Sequence, residues 1–319
     1  SIQYIQNAIR LVEKHLGRNS IELASLINEK GRIFANQNLF EEELAAFEEV
    51  IAIYEAINYK IGLANGYNNL ANTYFNQEKY LDALENYKKS LIQNKSIENR
   101  DLKYIAVNHS NLGLAYDEID HTDRAIFHHQ KALSIARQVF PNQNDYSNFA
   151  YYLNLGDAYS NQKQYHLAQS WFQKALFTLL PDFRDTSIFA NPDLTIQKTI
   201  KDKFSLQDIL ATKAETFAKM AKGKNPELLQ QALAAYRLAV LRSGGDLAMV
   251  RELVRFLGEI YADYEEMAEL LSSSAIDVDR DRELHLRLAS ASFQLGQLDE
   301  ALEHYSDLRR GESSTLIEQ

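Results

Sequence analysis

Three asparagines stand at nearly equal steps along this chain, Asn69, Asn111 and Asn154, each directly before a small apolar pair. On a helix, positions three and seven residues further on lie along the same stripe. Those positions add Asn72 and Asn76, then Leu114 and Glu118, then Asp157 and Asn161, while an upstream segment contributes Glu29, Arg32 and Asn36. Asn68 sits one step round the helix from this row. A primary amide both donates and accepts hydrogen bonds, so a row of amides can grip a peptide backbone without reading its side chains. The same geometry also suits a structural tie between neighbouring helices. Only Arg32 on the stripe is basic, which argues against a clamp for a carboxylate terminus.

Other reactive residue types lack the spacing that chemistry needs. The eight histidines (His15, His109, His121, His128, His129, His166, His285 and His304) form no His-Glu-x-x-His pair and share no helical face with a carboxylate at metal-ligand spacing. His128 and His129 are adjacent and so point to different sides of one helix; His129 falls on an aromatic core position. Asp277, Asp279 and Asp281 suggest a calcium loop, but its sixth and twelfth positions would be Arg282 and Leu288, where such loops need Gly and Glu. Helix-capping acids are the better reading. Gly244-Gly245 is not followed by Lys-Ser/Thr, no Gly-x-Ser-x-Gly occurs, and there is no cysteine. The expectation is a non-catalytic chain with no cofactor and no metal.

The elements that hold the asparagine row follow from a recurrent apolar pattern. It reads Leu70-Ala71, Tyr74, Ala83, Tyr87; then Leu112-Gly113, Tyr116, Ala125, His129; then Leu155-Gly156, Tyr159, Ala168, Phe172. Weaker copies occur at Gly31, Phe34 and Phe47, and at Leu288-Ala289, Ala301 and Tyr305. The pair and the first aromatic share one helical face. Polar runs at 76–79 and 161–164 then break the helix, and a second helix presents the alanine and the second aromatic. A small residue in each helix admits close approach, and the aromatic fills the space beside it. One hairpin cannot cover both of its apolar faces, so hairpins must stack. The predicted fold is all-α. Glu43 stands where the first hairpin should have its small residue, which predicts looser packing there.

Outside the pattern, residues 1–16 read as a lone amphipathic helix with Ile5, Ala8, Ile9 and Val12 on one stripe. Residues 180–203, with Pro181 and Pro192, read as a loop. A fifth hairpin carries Ala214, Phe217, Ala232, Tyr236 and Ala239, with a stretched connector at 223–226. Ser243-Gly244-Gly245 is expected to end it, and Leu257-Gly258 with Tyr261 to open a helix running to about Leu271.

These residues resemble the tetratricopeptide repeat family, whose pattern includes a Leu-Gly pair, a Tyr, an Ala and a second aromatic. The resemblance implies a right-handed α-solenoid of stacked antiparallel hairpins. It also implies that the first helices line a concave groove, which would place the asparagine row inside it. Steps of 40, 42 and 43 residues from Gly31 to Ala71, Gly113 and Gly156 exceed the 34 of the basic unit. That pitch resembles kinesin light chains and the helical regions preceding bacterial caspase-like CHAT peptidases. The implied function is a scaffold that binds a protein or peptide segment. Two alternatives stand beside it: the regulatory portion of a CHAT peptidase, or a fusion of segments of different origin.

Charge and composition bound the rest. The chain has 319 residues, 45% hydrophobic, and a net charge of −10. Residues 226–319 carry 18 of the 44 acidic but only 9 of the 34 basic side chains, and no lysine follows Lys224. That abrupt switch is what suggests a fusion. An acidic surface repels phosphate backbones, so nucleic acid is not the expected partner. No apolar run reaches the roughly 18 residues of a membrane span, and Ser1-Ile2-Gln3-Tyr4 has no signal-peptide character, so the expected location is cytoplasmic. The expected organisation is a helix and four hairpins over 1–180, a loop and degenerate hairpin over 181–245, and an acidic helix and hairpin over 246–319.

Overall fold

A computed structural model of the chain describes residues 2–98, 101–183, 185–192, 202–221, 225–243, 246–261, 263–272, 281–297 and 300–304. Every regular element among them is helical. None of these helices is long and apolar enough to cross a membrane. The chain divides into two compact units, Ser1–Gln162 and Lys163–Gln319.

In the first unit, α1 (Ile2–Leu16) precedes three hairpins: α2 (Ile21–Ala35) with α3 (Phe40–Ala56), α4 (Lys60–Asn76) with α5 (Tyr80–Lys95), and α6 (Leu102–Asp117) with α7 (Thr122–Val139). A 3₁₀ turn at Tyr146–Asn148 leads into α8 (Phe149–Asn161). Each helix packs on its chain neighbour, so the hairpins stack in order. The lone first helix lays Ile9 and Val12 on the core of the first hairpin, as its stripe predicts. Each hairpin turns through one residue in the left-handed region, Asn38, Glu78 or Asp120. The next N–H then reaches back five residues, as from Lys79 to the Tyr74 carbonyl at 2.9 Å. That bond closes the helix end.

The apolar pattern is the core. Ala71, Ala83, Tyr87, Leu112, Tyr116, Ala125, His129, Leu155 and Tyr159 are all buried. Gly113 is required by close approach: a Cβ there would lie 2.4 Å from the His129 ring. His129 is itself held by Asp117 at 3.2 Å. Gly113→Ala should therefore cost about 1–3 kcal/mol, the usual penalty of overpacking, read as a shift in the urea midpoint. An unchanged midpoint would show that the ring is free to move aside. Glu43 serves the seam between the first hairpin and the next. It is buried and accepts a 2.5 Å hydrogen bond from the Thr73 hydroxyl, joining α3 to α4. Burial pushes its carboxyl above the usual range, against the opposing pull of that bond.

In the second unit, α9 (Tyr165–Leu179) is followed by a segment with no helix over 181–183 and 185–192. The fifth hairpin is α10 (Lys203–Ala221) with α11 (Pro226–Ser243), and Ala214, Phe217, Ala232, Tyr236 and Ala239 are buried as predicted. Asn225 starts α11 by accepting from the Glu227 N–H at 3.1 Å, with Pro226 at the first helical position, where its missing N–H costs nothing. The next stretch departs from expectation. Asp246 caps a helix, α12 (Leu247–Arg255), which continues as a π-helical segment through Phe256–Tyr261. The pair Leu257-Gly258 thus lies inside an existing helix rather than opening one. A separate α13 (Tyr264–Leu271) begins at Asp263, whose side chain accepts from the Glu266 N–H. Asp281 caps α14 (Arg282–Gln294) and pairs with Arg251. Burial raises its carboxyl, but Arg251 and the two capping N–H groups win and hold it below the usual range. Leu288, Ala289 and Ala301 are buried. Gly244, Gly245, Asp277, Asp279 and Tyr305 lie outside the described residues.

Candidate functional site

The asparagine row lies along the first helices of the hairpins in the first unit. Each leading asparagine donates across one repeat step: Asn69 Nδ2 to Asn28 Oδ1 at 2.8 Å, Asn111 Nδ2 to Asn68 Oδ1 at 3.2 Å, and Asn154 Nδ2 to the Ser110 hydroxyl at 2.9 Å. The acceptor is always one residue earlier in the pattern than the donor, so the three bonds form a ladder from α2 through α4 and α6 to α8. Asn69, Asn111 and Asn154 are half-buried by it.

Beside the ladder is a cavity of about 440 Å³, lined by Asn28, Arg32, Asn65, Asn68, Asn69, Tyr104, Val107 and Asn108 among others. Asn108 is its buried hub. It donates to Asn68 Oδ1 at 3.2 Å and to the Ser90 hydroxyl at 2.9 Å, and accepts from Asn94 Nδ2 at 2.7 Å. Full satisfaction of such a hub fixes the orientation of the amides above it. Asn65 faces solvent, and Tyr104 and Val107 are 52% and 41% exposed. The surface offered is therefore amide in the middle and apolar at the side contributed by α6. Arg32 is bound to Glu29 at 2.8 Å, which leaves the lining with little net charge.

The other predicted residues are dispersed. Asn72 is exposed and accepts from the Tyr87 hydroxyl at 2.7 Å. Asn36 caps the end of α2, while Asn76 and Asn161 are the last residues of α4 and α8; all three are exposed. Asp157 is half-buried on α8. None of these five lines the cavity. Sequence reasoning misses Asn28, Asn65 and Asn108. A signal exists for one of them, since Asn65, Asn68, Asn72 and Asn76 run on at helical spacing along α4.

No cluster of three or more metal-ligating side chains occurs among the described residues. His109 and His128 meet at 3.0 Å between ring nitrogens, with His128 stacked on Tyr116.

Stacked helical hairpins with an amide-lined groove define a repeat protein that acts through contact surfaces. Tetratricopeptide repeat models match residues 62–138 and 149–176, so these segments of the chain carry tetratricopeptide repeats. No significant match is found among curated proteins. Among solved structures, the apo form of RapI is 14% identical, covering 97% of this chain and 80% of its own, with a TM-score of 0.62. A Rap protein complexed with competence and sporulation factor is 15% identical, covering 98% and 81%, with a TM-score of 0.55. Aspartyl phosphate phosphatase F from Bacillus subtilis is 15% identical, covering 94% and 73%, with a TM-score of 0.54. At these identities the likeness is one of fold.

Proposed function

We propose that the chain is a non-catalytic interaction scaffold, and that the groove beside the asparagine ladder binds an extended peptide segment of a partner protein. One observation carries this reading: the exposed Asn65, the half-buried Asn68 and two exposed apolar side chains line one cavity whose floor is fixed by a hydrogen-bond network centred on Asn108. Such a floor lets Asn65 and Asn68 meet backbone N–H and C=O groups, while Tyr104 and Val107 take an apolar side chain. Ordering a disordered segment costs part of the gain, so the affinity is expected to be modest. In this reading Asn69, Asn111 and Asn154 set the groove rather than contact the guest directly, whereas Asn36, Asn72, Asn76, Asp157 and Asn161 extend its rim.

A peptide selected on the chain from a random display library tests this. Asn65→Ala should weaken its binding by about 0.5–1.5 kcal/mol, the range for one hydrogen bond, and leave the melting temperature unchanged. Asn69→Ala should instead lower stability by about 1 kcal/mol through loss of its bond to Asn28. Selected peptides that bind wild type, Asn65→Ala and Tyr104→Ala equally well would place the contact elsewhere and end the proposal.

A further inference from the structure

A second surface lies on the other side of α6 from Asn111 and Leu114. Tyr116 carries Lys88 Nζ at 5.5 Å from its ring centre, Arg124 at 5.6 Å, and the His128 ring stacked at 5.4 Å. Lys131 lies 5.7 Å from the ring of Phe127, which is 52% exposed and edge-on to His128. Lys88, Lys95, Arg124 and Lys131 are all exposed. Nearby carboxylates are already engaged: Glu85 by Lys89, Asp117 by His129, and Asp123 by Gln162. Among the described residues, none of the four cations makes an ion pair with a carboxylate within 4.0 Å.

Four cations gathered with no described carboxylate within 4.0 Å, in a chain of net charge −10, repel one another, and that repulsion offsets part of what Lys88, Arg124 and Lys131 gain over the rings of Tyr116 and Phe127. We propose that this patch, built by α5, α6 and α7, is a docking surface for an acidic peptide segment. Carboxylates would sit between Lys88, Arg124 and Lys131, and Phe127 would cover the aliphatic stems. A longer polyanion such as nucleic acid suits the patch less well. Its ends would run onto Glu85, Glu118, Asp120 and Asp123, which are exposed close by in the chain. The local field agrees with the geometry. Burial first, then Lys95 and Lys131, hold His109 down to about 4; at His128 burial again leads, and Lys88 and Lys95 are among the charges that add to it.

The test uses the full chain and a fluorescein-labelled octa-glutamate peptide, followed by anisotropy at low and at physiological salt. Binding should weaken steeply with salt. The variant Lys88→Glu/Arg124→Glu/Lys131→Glu should bind at least about tenfold more weakly, because attraction becomes like-charge repulsion. Lys88→Arg/Lys131→Arg should bind as wild type, and Asn65→Ala, which alters only the groove, should also leave affinity intact. Saturation with peptide should raise the His128 pKa, followed by NMR, by about one unit. Circular dichroism confirms that each variant is folded. Three results would overturn the proposal: no salt-sensitive binding, affinity within about twofold of wild type in the charge-reversed variant, or tighter binding of single-stranded RNA of equal charge.

Discussion

Raising the pH from 7 to 9 should make the second unit harder to unfold. The cause is Lys213, whose side chain is wholly buried. Its Nζ lies within hydrogen-bond reach of Gln173 Oε1 at 2.7 Å, the Ala190 carbonyl at 2.9 Å and the Ile188 carbonyl at 3.2 Å; the ammonium donates to all three, the neutral amine to two of them. The amine thus stitches α9 and the segment 185–190 onto α10, and Gln169 adds a bond to the Lys213 carbonyl at 2.9 Å. Burial holds its pKa down to about 7, against the opposing pull of Asp185. The unfolded lysine keeps its ordinary value near 10.4. Between these values the unfolded chain binds the extra proton, so stability rises with pH by up to about 1.4 kcal/mol per unit. The window closes near pH 10, where Tyr236, pushed up by burial, begins to act in the opposite sense. Trp171 is the single tryptophan and lies on α9, so its fluorescence reports urea unfolding of this unit directly. Lys213→Met should lose about 3 kcal/mol by stranding three acceptors and should flatten the pH slope. A wild-type midpoint that does not rise from pH 7 to 9, or a Met variant that keeps the rise, would refute the assignment.

That lysine also marks where sequence reading stops. The hairpins are legible because close helix packing demands a small residue opposite an aromatic at fixed spacing, and Gly113 against His129 is that demand in atomic form. The asparagine row is legible as a stripe. What spacing cannot supply is the offset between stacked hairpins. That offset decides that Asn69 meets Asn28 rather than the adjacent Glu29, which is taken up by Arg32. For the same reason spacing hides Asn108, whose partners come from α4 and α5.

Lys213 is invisible because nothing local marks a lysine as buried, and two of its acceptors come from a segment without periodicity. The helix over 247–261 is hidden by glycines that read as breaks, whereas Asp246 restarts the helix at once. The His109–His128 contact does leave a trace in the sequence. The same spacing of 19 residues recurs at His285 and His304, whose ring nitrogens lie 3.2 Å apart.

Acidifying from pH 6.5 to 5 should weaken the first unit, and the contact between His109 and His128 is the reason. The two Nδ1 atoms are 3.0 Å apart, so a neutral pair shares one proton between a donor and an acceptor. Charging both rings sets two donors against each other. Burial is the main influence holding each ring down to about 4; Lys95 and Lys131 add to it at His109, and His109, His129, Lys88 and Lys95 at His128. The folded values lie below the unfolded value near 6.5. The stabilisation is therefore complete above pH 6.5 and is lost as pH falls toward 4, because the unfolded chain takes up protons first. Coupling between the rings and partial solvent screening reduce the loss to about 2 kcal/mol by pH 5. Urea titrations followed by circular dichroism, with Trp171 fluorescence separating the second unit, measure it. His128→Phe keeps a ring against Tyr116 but cannot titrate, so its acid slope should fall by at least half. Added salt should also shrink the slope, since the lysine contributions are screened while the burial contribution is not. A wild-type midpoint that is flat from pH 6.5 to 5, or a Phe variant with an unchanged slope, would show that the pair carries no such load.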